Sequence, residues 1–128
     1  MSESQDLVSV RYLVDDVAAA VDFYRTHLGF EVALDAPPAF ADVRRGALRL
    51  LLSGPLSSAG RAMADGEVPT AGGWNRIHLH VEDLEAEVAR LEGDGLTFRN
   101  PVVAGPGGAQ ALLVDPSGNL VELFQPAT

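Results

Sequence analysis

Residues 8–30, "VSVRYLVDDVAAAVDFYRTHLGF", and residues 76–98, "RIHLHVEDLEAEVARLEGDGLTF", can be laid over one another, and this overlay decides the fold. Each copy opens with a short run of alternating residues, the mark of a strand with one buried face. Each then carries an acidic pair, Asp15-Asp16 and Glu82-Asp83, placed to cap a helix N-terminus. Val17, Val21, Tyr24 and Leu28 make an apolar stripe at helical spacing, and Leu84, Val88 and Leu91 repeat it. Both helices stop at glycine, at Gly29 and in the "GDG" of 93–95.

Strands follow in each half. "FEVAL", "AFADVR" and "ALRLLLS" are the candidates in the first, and "LTFRNPVV", "AQALLVD" and "LVELF" in the second. "DPSGN" at 115–119 reads as a turn, with proline presetting φ and Gly118 and Asn119 tolerating positive φ. Both halves are therefore β-α-β-β-β. The reading is a single α+β domain: module one over about 7–53, a linker over 54–73 and module two over about 74–125. The linker, rich in Gly, Ser, Ala and Pro, is long enough to cover a site as well as to join modules.

At 128 residues, 47% hydrophobic and 21% charged, the chain has the composition of one globular domain. No apolar run approaches the roughly 18 residues needed to span a bilayer. "MSESQDLVSV" lacks the features of a secretory signal, so a cytoplasmic protein is expected. With no cysteine, disulfides, zinc–thiolate sites and cysteine nucleophiles are excluded; with no lysine, so is Schiff-base chemistry. A net charge of −9 repels phosphate backbones and argues against nucleic acid as a partner. The same acidity suits a cationic ligand, and serves solubility equally well. No phosphate loop is present, because the glycines at 105, 107 and 108 lie between strands.

The paired modules, "VDFYRTHLGFEV" and the closing "DPSGNLVELFQP" resemble the vicinal oxygen chelate superfamily, which includes glyoxalase I, extradiol dioxygenases and bleomycin-resistance proteins. The resemblance covers essentially the whole chain. It implies the glyoxalase/bleomycin-resistance fold, in which two tandem β-α-β-β-β modules have mixed sheets that curl round a cavity. It also implies that metal-binding members draw ligands from the first and last strands of each module. Those positions fall here on Ser9, on a residue near Leu50 (to within one residue of register), on Arg76 and on Glu122. Only Glu122 keeps ligand chemistry, since a guanidinium has five donors and no lone pair. No metal and no cofactor is therefore expected, and Arg76 is expected to pair with Glu122 in the ion's place.

His78 shares a strand face with Arg76. Beside a carboxylate it is a candidate general acid or base, or else a hydrogen-bonding wall residue. His80 reads as structural or solvent-facing, and His27 as a cation favouring its helix C-terminus. Trp74 and Phe124 should line or rim the cavity, with Phe40 and Met63 completing the wall and Phe98 a plain core residue. Leu48, Leu50 and Leu52 are expected as an apolar cavity wall. The ligand-binding set is then Ser9, Phe40, Leu50, Met63, Trp74, Arg76, His78, Glu122 and Phe124. The resemblance to the bleomycin-resistance branch implies a homodimer that sequesters a small organic molecule such as an antibiotic. The alternative is a lyase, isomerase or dioxygenase acting through His78 and Glu122.

Overall fold

The computed structural model describes residues 8–128. The start of module one at residue 7, and all but the last three residues of the N-terminal stretch read for a secretory signal, lie outside the described residues. The chain forms two compact units that meet in sequence between Thr70 and Ala71. Residues 54–70 of the segment read as a linker thus go with the first unit and 71–73 with the second.

The first unit runs β1 (Ser9–Leu13), α1 (Val17–Leu28), β2 (Glu31–Ala36), β3 (Phe40–Arg45) and β4 (Leu48–Ser53), followed by a 3-10 turn at Ser58–Gly60. The second repeats it as β5 (Ile77–His80), α2 (Leu84–Gly93), β6 (Val103–Gly105), β7 (Gly108–Val114) and β8 (Leu120–Pro126). Each module makes a four-stranded mixed sheet, in the orders β1-β4-β3-β2 and β5-β8-β7-β6. The first strand of each pairs parallel with the last, and the remaining pairs are antiparallel.

Local chemistry sets the helix ends as the sequence predicts. The second acid of each pair is the N-cap: Asp16 accepts from the Ala19 amide and Asp83 from the Ala86 amide, both at 3.1 Å. α1 ends on Gly29 in the left-handed region, at φ 71°. α1 packs on β2, β3 and β4, and its buried Val17, Val21, Tyr24 and Leu28 share a core with Tyr12, Val43, Leu50 and Leu52. α2 packs on β7 and β8, joining Leu84 and Leu91 to Ile77, Leu79, Leu113, Val121 and Leu123. Since alternate residues of a strand face opposite ways, the other face of each sheet is turned away from its helix. In the first module that face carries Ser9, Arg11, Asp42, Arg44, Arg49, Leu51 and Ser53; in the second it carries His78, His80, Glu122 and Phe124.

Three expectations need correction. Leu50 and Leu52 are 0% exposed and lie in the α1 core, so they form no cavity wall. The position expected within one residue of Leu50 is Leu51, in keeping with that expectation, because it pairs with Arg11 as Glu122 pairs with His78. "LTFRNPVV" is not one strand: only Val103 belongs to β6. Pro101 has no amide to donate, and at Asn100 a side-chain oxygen replaces the backbone acceptor, taking the Leu112 amide at 2.9 Å. Around it Arg99 and Thr97 still bond β7, at 2.8 and 3.0 Å, and Phe98 bridges Leu113. In "DPSGN" only Gly118 takes positive φ, at 88°. Asn119 instead uses its side chain, donating to Asp115 at 3.2 Å and accepting from the Gly72 amide at 2.8 Å.

Candidate functional site

β5 and β8 run parallel with His78 in register with Glu122 and His80 with Phe124. This registration brings alternate residues of two strands onto one face, and Arg76, just before β5, reaches the same place. Its Nε and Nη2 both lie 3.0 Å from Glu122 Oε1, and its Nη1 donates to the Trp74 carbonyl at 3.1 Å. The Glu122 side chain is 14% exposed and that of Arg76 30%, so the carboxylate is the more withdrawn from water of the two. A carboxylate so placed requires a cation, and the guanidinium supplies one. The expected Arg76–Glu122 pair is present.

The second oxygen of Glu122, Oε2, lies 3.6 Å from His78 Nε2, longer than a hydrogen bond but within range of one after a small movement. The His78 ring stacks tilted on Phe124 at 4.7 Å between centroids, and His80 closes the group at 5.3 Å from His78 and 5.6 Å from Phe124. The result is a cluster of two exposed imidazoles on a half-buried phenyl ring, backed by a charge-paired carboxylate. Such a surface offers flat apolar faces and a proton donor or acceptor side by side.

Trp74 is 62% exposed, and the Arg99 guanidinium sits over its ring at 4.5 Å, a cation–π contact. The two residues line a cavity of about 240 Å³ with Gly73, Gly118 and Leu120. The sequence reading missed Arg99 and Gly118; their positions depend on where residues 97–100 cross β7 and on the turn at 115–119.

The other predicted residues lie in the first unit. Ser9 is exposed and pairs in register with Arg49; Phe40 is half-buried and pairs with Ser53. Met63 is exposed in a turn whose ends are joined by its backbone bond to Glu67 at 2.6 Å. Leu50 is in the core. The structure therefore groups Trp74, Arg76, His78, Glu122 and Phe124 within one module and sets Ser9 and Phe40 on the face of the other sheet away from α1.

The donor set fits a divalent ion poorly. Arg76 and Leu51 have no lone pair to give at two of the four family positions, and Arg76 already engages the carboxylate at a third. Among the described residues no three His, Asp or Glu side chains gather as a metal-holding group.

The comparisons with known proteins agree with the fold. The chain is similar to a member of the glyoxalase/bleomycin resistance protein/dioxygenase superfamily from Sphaerobacter thermophilus DSM 20745, at 28% identity and TM-score 0.76, over 95% of this chain and 98% of that one. It is similar to TnmS3, an antibiotic binding protein from Streptomyces sp. CB03234, at 27% identity and TM-score 0.72, over 99% of both chains. It is also similar to lactoylglutathione lyase from Agrobacterium tumefaciens, at 25% identity and TM-score 0.72, over 97% of this chain and 96% of that one. No curated protein sequence matches it. The model of the Glyoxalase/Bleomycin resistance protein/Dioxygenase superfamily matches residues 6–123, and with its two β-α-β-β-β modules the chain belongs to that superfamily.

Proposed function

We propose that this protein binds and sequesters a small aromatic or hydrophobic organic molecule, such as an antibiotic, without a metal. The observation that carries the reading is Arg76 on Glu122: a guanidinium stands where a metal-dependent relative needs a ligand, and it spends the carboxylate. Next to it the Phe124, His78 and Trp74 rings supply flat surface for a conjugated guest. Similarity to an antibiotic binding protein over nearly the full length of both chains supports the same reading. Ser9, Phe40 and Met63 belong to the proposed ligand-binding set, and a homodimer to the proposed assembly, which light scattering at micromolar concentration tests.

The second reading, an enzyme, rests on the 3.6 Å approach of His78 Nε2 to Glu122 Oε2 and on the similarity to a lyase. In that case His78 moves the proton and Glu122 orients it. One experiment separates the two. Metal-stripped protein is incubated with a panel of aromatic natural products and antibiotics, and both components are recovered. Tight binding with the compound returned unchanged is the expected outcome. Chemical conversion, abolished by His78→Ala, overturns sequestration in favour of catalysis.

A further inference from the structure

The face of the first sheet away from α1 concentrates positive charge in a chain whose net charge is −9. Arg11 on β1, Arg44 on β3 and Arg49 on β4 are three of the nine arginines. Arg44 and Arg49 stand directly opposite in register, and Arg11 pairs with Leu51 two residues along. Among the described residues the acids on this face are Asp42 and, on edge strand β2, Glu31 opposite Arg44. Across the whole chain acids outnumber bases 18 to 9, so a face whose described residues include three bases and two acids reverses the trend.

Asp42 explains how the cations are held. Its residue is only 3% exposed, and it accepts from Arg44 Nε and Nη2 at 3.2 and 2.9 Å and from Arg49 Nε at 2.9 Å. Neutralising one buried carboxylate takes a single arginine; here two converge on it. Arg49 uses only Nε, so among the described residues both its Nη nitrogens are left without a protein partner. Among the described residues Arg11 uses only Nη1, on Ser53 Oγ at 2.8 Å. A buried acid thus fixes two guanidinium planes, a serine fixes a third, and the remaining N–H groups are left to a ligand. Planar forks held this way match the oxygens of carboxylate, phosphate or sulfate.

We propose that Arg11, Arg44 and Arg49 form an oxyanion site for a small molecule, with Asp42 as the residue that positions two of them. The ligand class is accordingly a molecule bearing a carboxylate, phosphate or sulfate. The site lies wholly within the first unit; it rests on the sequestration reading only in that the ligand is a small organic molecule, and its geometry is separate from the Arg76–Glu122 face.

A chain with nine arginines and no lysine gives a simple test. Arginine Nε–Hε resonances of the ¹⁵N-labelled protein are followed while inorganic phosphate is added, with Arg11→Gln and Arg49→Gln as assignment and control. In parallel, affinities are measured for naphthalene-2-carboxylate and its uncharged carboxamide. We expect saturable shifts confined to Arg11, Arg44 and Arg49. We also expect about tenfold tighter binding of the carboxylate than of the carboxamide. Either variant should remove about that factor for the carboxylate and leave the carboxamide unchanged. The site is overturned if phosphate moves all nine signals alike without saturating, or if the carboxamide binds as well as the carboxylate. It is equally overturned if both variants keep wild-type affinity for the carboxylate. Saturable phosphate shifts with neither naphthalene compound bound support the oxyanion site while removing aromatic sequestration, so the two failures are distinct.

Discussion

Replacing Arg76 by Met removes the cation from a carboxylate that is 14% exposed while keeping much of the side-chain volume. Breaking a fully buried ion pair costs roughly 3–5 kcal/mol, and an exposed one about 0.2–1 kcal/mol. Arg76 at 30% exposure and Glu122 at 14% lie between these limits. Three contacts near 3 Å are lost together, two to Oε1 and one to the Trp74 carbonyl. The cost of Arg76→Met should then be about 2 kcal/mol.

The unfolding assay has a built-in reporter. Trp74 is the only tryptophan and lies in the same module, so its emission in urea follows the unit that carries the pair. At slopes of about 1–3 kcal/mol per molar, a loss of about 2 kcal/mol moves the midpoint down by about 1 M. Glu122→Gln keeps the shape and removes the charge, so the double variant should recover part of the loss. A coupling of about 1–2 kcal/mol is expected from the cycle. Coupling below about 0.5 kcal/mol refutes the argument that Arg76 stabilises Glu122 in place of an ion.

Three further outcomes test other parts of the structure. Leu50→Ala should cost about 2–5 kcal/mol and Leu51→Ala much less, read by urea unfolding followed by circular dichroism, because only Leu50 lies in the helix-packed core. The Arg44 guanidinium, with Arg49 as a second donor, holds the Asp42 carboxyl below its ordinary 3.8 despite its burial. The stability this confers is present above the ordinary value and lost as pH falls through the depressed one. Asp42→Asn should therefore flatten the acid limb of the stability–pH curve below about pH 4, measured by thermal melts. Gly108→Ala should lower the melting temperature by several degrees, since φ is +147° and a Cβ would meet the Gln125 carbonyl and the Phe124 ring.

The fold was legible because its punctuation is local. Asp16 and Asp83 cap within three residues of themselves, and Gly29 ends α1 where it stands. Register was less legible, and β4 shows why. In "LRLLLS" the consecutive Leu50, Leu51 and Leu52 erase the alternation that assigns faces, so a one-residue slip leaves the hydrophobic pattern intact. Pairing with β1 and β3 decides the matter, and that is a long-range fact. The same limit concealed the arginine face: Arg44 and Arg49 flank a turn, but their convergence on Asp42 depends on the hairpin register. In module two the alternation of "RIHLH" is clean, and Arg76, His78 and Glu122 could be grouped from sequence. Residues 96–102 misled because β-branched and aromatic residues surround a proline whose effect is met by the Asn100 side chain.

Laying the two modules over one another now distinguishes what the repeat holds constant from what it varies. Caps, core positions and strand pairing coincide, whereas Arg11 stands where His78 does and Leu51 where Glu122 does. Among the described residues the single carboxylate on the second face is matched by Arg76, and the first face has more guanidinium than carboxylate. Much of the negative charge lies at the helices instead, at Asp15, Asp16, Asp22, Glu82, Asp83, Glu85, Glu87, Glu92 and Asp94. The acidity of the chain as a whole therefore says little about these two sheet faces. A field summed over the molecule governs solubility and long-range steering, but contact recognition depends on the groups within a few ångströms of the ligand. By that measure a cationic guest, the natural inference from −9, would meet guanidinium on both sheets.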